Sequence, residues 1–211
     1  MKHLIEDHRI LLKFFAAKNP WTVLYFVVPL LTGLVLCMPE IRVLNLLIAL
    51  PLSFLYWSFV EYLIHRYFFH WIPKNRILRY LTSSFHLYHH ENPTDTGVIN
   101  SGWVTGTLGV FFHFGIFYFV FRSPFQTALE LTFGLVLVYY YYEWVHYKVH
   151  EKIYEKGIMR FLQNFHLTHH VSPRCNFGQI TPIWDFLLGT MKENKETKDN
   201  PRMRSFVKGA R

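Results

Sequence analysis

Histidine dominates the chemistry available to this chain. The hexapeptide FHLYHH occupies residues 85–90 and FHLTHH occupies residues 165–170. An upstream pair precedes each, His65 and His70 in EYLIHRYFFH, and His146 and His150 in EWVHYKVH. His70, His86, His89 and His90 map onto His150, His166, His169 and His170 with a shift of 80, whereas His65 and His146 differ by 81. The pattern is that of two structural halves, each contributing five histidines to a shared site.

Residues at i, i+3 and i+4 of a helix share a face, so His86, His89 and His90 project together, as do His166, His169 and His170. His146 and His150 are one turn apart. His65 and His70 are five residues apart and diverge by about 140° on an ideal helix. They reach different metals, or a local widening of the helix brings them together. Ten imidazoles exceed what one metal ion uses, and two ions sharing them is the economical reading. Imidazole suits zinc, copper, iron and nickel, so ligand type does not name the metal. His3 and His8 fall outside the repeat and read as solvated or headgroup-facing. His113 lies within an apolar segment and reads as buried, hydrogen-bonded or bundle-facing.

The elements that must position these side chains are apolar. The chain is 51% hydrophobic and 17% charged, with 21 Phe, 13 Tyr and 6 Trp, which points away from an ordinary soluble domain. Four blocks approach the roughly 20 residues that cross a bilayer: 21–38, 43–60, 102–121 and 125–142. Each is nearly free of charge, Glu130 being the exception. The basic residues are lopsided: 20 of the 22 Lys and Arg lie before the first block, between the second and third, or after His146, and only Arg42 and Arg122 lie on the connectors. That asymmetry predicts cytoplasmic termini, and it accounts for the net charge of +8 without nucleic acid. The expected fold class is all-α integral membrane, with four transmembrane helices in two hairpins and a cytoplasmic helical cap holding the histidine-rich dimetal site. The chain reads as one domain over 1–211, with an N-terminal interfacial segment over 1–20, no evident cleavable signal peptide, and a polar C-terminal tail over 191–211. Cys37 and Cys175 fall on opposite sides of the membrane in this topology and should not pair.

From about Ser53 to Thr190 the chain resembles the fatty acid hydroxylase/sterol desaturase superfamily of integral membrane di-iron oxygenases. EYLIHRYFFH, HLYHHENPTD, YEWVHYKVH and FHLTHH, with NFG and WDFLLGT, are most similar to fatty acid 2-hydroxylases, and Pro93 and Asp95 match the proline and aspartate after the second cluster. The stretch TGVINS departs from that pattern. The resemblance implies that all ten repeat histidines are ligands of two iron ions, with zinc able to displace iron, and that O₂ is a cosubstrate. It implies hydroxylation of an acyl chain at the 2-position, with sterol or carotenoid hydroxylation and desaturation as alternatives. Cleaving an unactivated C–H bond is beyond side-chain acid–base chemistry, so metal and O₂ must supply the reactivity. The sequence carries no cytochrome b5-like stretch, so a separate donor resembling cytochrome b5 or ferredoxin is expected, alongside a lipid drawn from the bilayer. The implied location is the endoplasmic reticulum in a eukaryote or the plasma membrane in a bacterium.

Groups around the ligands should orient them. Glu61 precedes His65 by one turn, Glu143 precedes His146 by three residues, and Asn176 and Asp185 lie in the segments after the last cluster. These four are the candidate hydrogen-bond partners of ligand N–H groups. The run Tyr139 to Tyr142 suits an interfacial tyrosine belt or the lining of an acyl tunnel. A metal transporter would place its ligands near mid-bilayer, a structural zinc site would need only four ligands per ion, often with cysteine, and a bis-histidine haem needs two facing mid-span histidines.

Overall fold

The computed structural model describes residues 15–75, 78–79, 86–193 and 196–210. Most of the interfacial segment expected over 1–20, His3, His8, Phe85 and much of the basic stretch before it therefore lie outside the described residues. The described chain is mostly helical. A short strand β1 (Ala16–Ala17) leads to α1 (Pro20–Cys37), and α2 (Val43–Leu63) continues as a π-helical segment over Ile64–Phe69. Next come α3 (Tyr88–Glu91), β2 (Asn100–Ser101) and α4 (Trp103–Gly115), which extends through a π-helical Ile116–Val120. The α-helices that follow among the described residues are α5 (Phe125–Glu151), α6 (Gly157–Val171), α7 (Ile183–Leu187) and α8 (Pro201–Arg204).

Local sequence explains several boundaries. Asn19 caps α1, accepting from the Thr22 amide at 3.1 Å while Thr22 Oγ1 accepts the Asn19 amide, and Pro20 occupies the first turn, where its missing N–H costs nothing. Helix α5 is the centre of the bundle: α2 packs along it, and α1 and α4 flank it. Close approach of α2 and α5 rests on small residues. A Cβ at Gly134 would lie 2.7 Å from Ser53 Oγ and 3.0 Å from the Ala49 carbonyl, and Ser53 Oγ donates to the Leu131 carbonyl at 2.8 Å.

Among the described residues, three helices are long and apolar enough to cross a membrane: Pro20–Cys37, Val43–Phe69 and Trp103–Val120. Their outward faces carry exposed Leu36, Leu44, Leu47, Leu108, Phe111 and Phe119. Contiguous apolar surface on this scale fits lipid contact. The sequence suggests a fourth span in α5, but protein surrounds that helix, so its composition is under less pressure to match lipid. Its buried Glu130 is satisfied within the bundle by Asn45 Nδ2 at 3.2 Å and Gln126 Nε2 at 2.7 Å. His113 is buried on α4, with Nδ1 at 2.8 Å from Tyr56 Oη.

The all-α expectation misses one feature. β1 and β2 pair antiparallel, Ala16 opposite Ser101 and Ala17 opposite Asn100. TGVINS thus ends in a strand that ties the chain before α1 to the chain before α4. Cys37 and Cys175 are both free.

Candidate metal centre

The shift of 80 against 81 has a structural cause. His146 and His150 sit on regular α-helix, where four residues return a side chain to the same face. His65 and His70 are five apart, and the segment between them is π-helical, with the wider turn that brings i and i+5 together. Their rings stack with centroids 5.2 Å apart. The first half has one extra residue, and the π turn absorbs it.

The histidines gather into two groups, His65, His70, His86, His90 and His169 in one, and His89, His146, His150 and His166 in the other. Within each group the candidate ligand atoms all lie within 4.8 Å of one another. His170 joins the second, its Nε2 3.0 Å from that of His166. Each group therefore takes four imidazoles from its own half and one from the other, with His89 and His169 exchanged. At the junction of the halves, the rings of His90 and His170 stack at 4.2 Å.

The approach of the nitrogens shows what the groups fit. His86 Nε2 lies 2.8 Å from His65 Nε2, 3.1 Å from His70 Nε2 and 2.9 Å from His90 Nε2. His169 Nε2 lies 3.0 Å from His70 Nε2 and 3.1 Å from His90 Nε2. In the second group, His146 and His89 approach at 3.1 Å and His150 and His166 at 2.9 Å. An Nε2 carries at most one hydrogen, so mutual hydrogen bonding cannot satisfy three such neighbours. A metal–nitrogen bond of about 2.0–2.1 Å places ligands at right angles about 3.0 Å apart, the spacing found here. The donor set suits a cation of five or six nitrogen or mixed ligands in each group.

Electrostatics agree. Burial, reinforced by neighbouring imidazoles, holds His86, His89, His166, His169 and His170 well below the usual histidine range. His70 is pushed down to about 3 and His90 to about 2 for the same reasons. Neutral imidazoles are the form that ligates. Backbone carbonyls select the tautomer: His65 Nδ1 donates to the Phe177 carbonyl at 2.5 Å, His169 Nδ1 to Cys175 at 2.7 Å and His150 Nδ1 to Phe206 at 2.9 Å. A hydrogen on Nδ1 leaves the Nε2 lone pair facing the group centre.

The four residues expected to receive ligand N–H groups bind elsewhere, a correction to the sequence reading. Glu61 Oε1 stands 3.7 Å from His65 Nδ1, beyond hydrogen-bond range, and Oε2 accepts the Gln179 amide at 3.2 Å. Glu143 accepts Asn100 Nδ2 at 2.7 Å and the Ser101 amide at 3.1 Å, which anchors β2. Asp185 accepts the Phe177 and Gly178 amides at 2.8 and 2.7 Å and the Thr190 hydroxyl at 2.7 Å. Asn176, in the left-handed region at φ 55°, accepts the Lys192 amide at 2.7 Å. The physical reason is competition: bare backbone amides in the buried loop and at β2 need acceptors, and the Nδ1–H groups of His65, His150 and His169 have carbonyls. Glu61 and Asp185 hold the loop that supplies the Cys175 and Phe177 carbonyls, and so act on His65 and His169 at one remove. Phe177, Cys175 and Phe206 escape a reading of side chains because they act through main-chain oxygen. Of the tyrosine run, Tyr139 and Tyr142 face Trp57 inside the bundle at 5.4 and 5.7 Å, while Tyr141 is exposed.

The comparisons with known proteins agree with this architecture. The fatty acid hydroxylase family model matches residues 50–190, and the chain belongs to that family. It is 31% identical over 160 residues to the fatty acid 2-hydroxylase of Mus musculus, covering 73% of this chain and 41% of that protein. It is 29% identical over 140 residues to the dihydroceramide fatty acyl 2-hydroxylase FAH1 of Arabidopsis thaliana, covering 66% of this chain and 58% of that one. The chain thus spans about two fifths of the mouse relative's length. Among solved structures it is similar to full-length scs7p, of which only the hydroxylase domain is visible, with a TM-score of 0.70 and 25% identity over 83% of this chain and 67% of that one.

Proposed function

We propose that this protein is an O₂-dependent lipid hydroxylase that acts at carbon 2 of a fatty acid or sphingolipid acyl chain. The observation that carries the reading is the pair of five-imidazole groups, neutral and converging through Nε2, at one end of an apolar bundle. The first group, His65, His70, His86, His90 and His169, would hold one iron ion, and His89, His146, His150, His166 and His170 would hold the other. Zinc is expected to occupy the same donors when iron is scarce. Bound there, the metals supply the redox chemistry that activates O₂ toward an unactivated C–H bond.

The chain's own residues do the rest. The histidines hold the centres by neutral donors, so no carboxylate charge is spent at the site. Glu61 and Asp185 fix the 177–179 loop, which keeps His65 oriented. Trp57, Tyr139 and Tyr142 wall the bundle side of the second centre, near enough that Tyr142 and His146 rings lie 6.1 Å apart, and exclude water there. The lopsided basic residues support a membrane placement that suits this chemistry. With α5 as a fourth span and both termini cytoplasmic, the histidines lie at the cytoplasmic boundary, where an acyl chain rises from the leaflet and a separate cytochrome b5-like or ferredoxin-like donor can deliver electrons. The similar proteins named for fatty acid and dihydroceramide 2-hydroxylation support the acyl reading. Lipid mass spectrometry of cells with and without the gene tests it. Acyl lipids gaining one oxygen are expected. Loss of two hydrogens, or a change confined to sterols or carotenoids, rejects it.

A further inference from the structure

The stretch after residue 191 is polar in composition, yet residues 196–210 pack onto the bundle. Thr197 is buried, with its amide and hydroxyl on Asn164 Oδ1 at 3.0 and 2.8 Å, and Glu196 pairs with Arg160. Asn200 caps α8, and beyond it Met203 and Val207 are fully buried against Leu167 of α6. Two contacts then reach the histidines. The Phe206 carbonyl accepts from His150 Nδ1 at 2.9 Å, and the Phe206 ring lies 5.5 Å from that of His170. At the end of the segment, a Cβ on Gly209 would lie 2.8 Å from the Glu151 carbonyl, so the backbone rests directly on the end of α5.

We infer that the segment from Thr197 to Ala210 is a working part of the second metal centre, in which Phe206 orients His150 through its carbonyl and covers His170 with its ring. The inference rests on the proposal that each histidine group holds a metal ion. It is specific to one centre. The first group takes its carbonyls from the 175–177 loop and keeps His70 and His90 partly open, whereas His89, His146, His150 and His166 are all buried. In the second group the Nδ1 atoms of His89, His146 and His170 are buried without a partner among the described residues, which leaves the Phe206 contact with more of the orienting to do. An ion in the second centre should leave only when the segment lifts.

The test is zinc release from the purified full-length protein to a colorimetric chelator. Two phases of equal amplitude are expected, the slower from the covered centre. Gly209→Val alters no histidine and leaves the Phe206 carbonyl in the chain, but its side chain must push the segment off Glu151. It should speed the slow phase at least tenfold and leave the fast one unchanged. A chain ending at Asn200 should keep one ion and lose the other. The inference is overturned if both variants release two ions at the full-length rates, or if either loses both ions alike, which would make the segment a general staple. A full-length protein that binds no zinc or iron would overturn the metal proposal, and this inference with it.

Discussion

The exchange of His89 and His169 between the two groups makes a sharp demand of single residues. Either substitution removes one donor from the centre built mainly by the opposite half. His89→Ala should deplete the centre around His146, His150 and His166, and His169→Ala the centre around His65, His70 and His86. Each should abolish turnover and cut metal affinity by more than about 100-fold at one centre, while the protein remains inserted; metal analysis of purified variants checks this. Acid gives a second handle. Imidazoles whose folded values lie far below the ordinary 6.5 bind fewer protons folded than unfolded, so their stabilising share is complete above about pH 6.5 and is lost as pH falls toward their folded values. For His70, pushed down to about 3, that window runs from about 6.5 to 3. Metal-free protein should therefore show a falling thermal midpoint across that range, and a flat profile would contradict the burial. At this scale the sequence was highly legible for ligand candidates, since eight histidines in register and a fifth pair one residue out leave little freedom. It was least legible for their partners. A carbonyl such as that of Phe206 belongs to every residue and has no signature in side-chain chemistry.

Among the elements, the one-residue mismatch between the halves is visible in the histidine spacing alone, and the π turn over Ile64–Phe69 is its resolution. The sequence left open whether His65 and His70 served one centre or two, because residue spacing cannot say where a helix widens. The loop from Cys175 to Gln179 was recognisable as a segment, but its job was not. Asp185 looked like an imidazole partner and is instead the acceptor for two backbone amides. Asp185→Ala should leave those amides buried and unpaired at a cost of about 1–3 kcal/mol, and loosen metal at the first centre by about 10–100-fold through His65. Chelator competition with paired melting curves in detergent measures both. The seam between α2 and α5 makes a separate prediction. Gly134→Val must displace Ser53 or the Ala49 backbone, and should cost about 1–3 kcal/mol by overpacking, with unchanged metal content in whatever protein folds.

Taken as a whole, the molecule is an apolar bundle with its histidines collected at one end; composition offered four membrane-crossing candidates, and three of them are helices long and apolar enough to cross. Helix α5 is harder to read because a helix enclosed by others can carry Glu130 and four consecutive tyrosines without exposing them all to lipid. Cysteine labelling near Pro124 and a reporter fused at the C-terminus should give opposite sides of the membrane if α5 crosses it; the same side would remove the fourth span. The strand pair formed by Ala16–Ala17 with Asn100–Ser101 could not be foreseen, since two residues per strand carry no periodic signal. What the whole arrangement is for reduces to one atom's origin. Membranes carrying the protein, supplied with an electron donor and ¹⁸O₂, should yield acyl lipid with the heavy oxygen at carbon 2, and none when His89 or His169 is replaced. Label on a sterol or carotenoid ring, a new double bond without label, or labelled product undiminished in those variants would contradict the account.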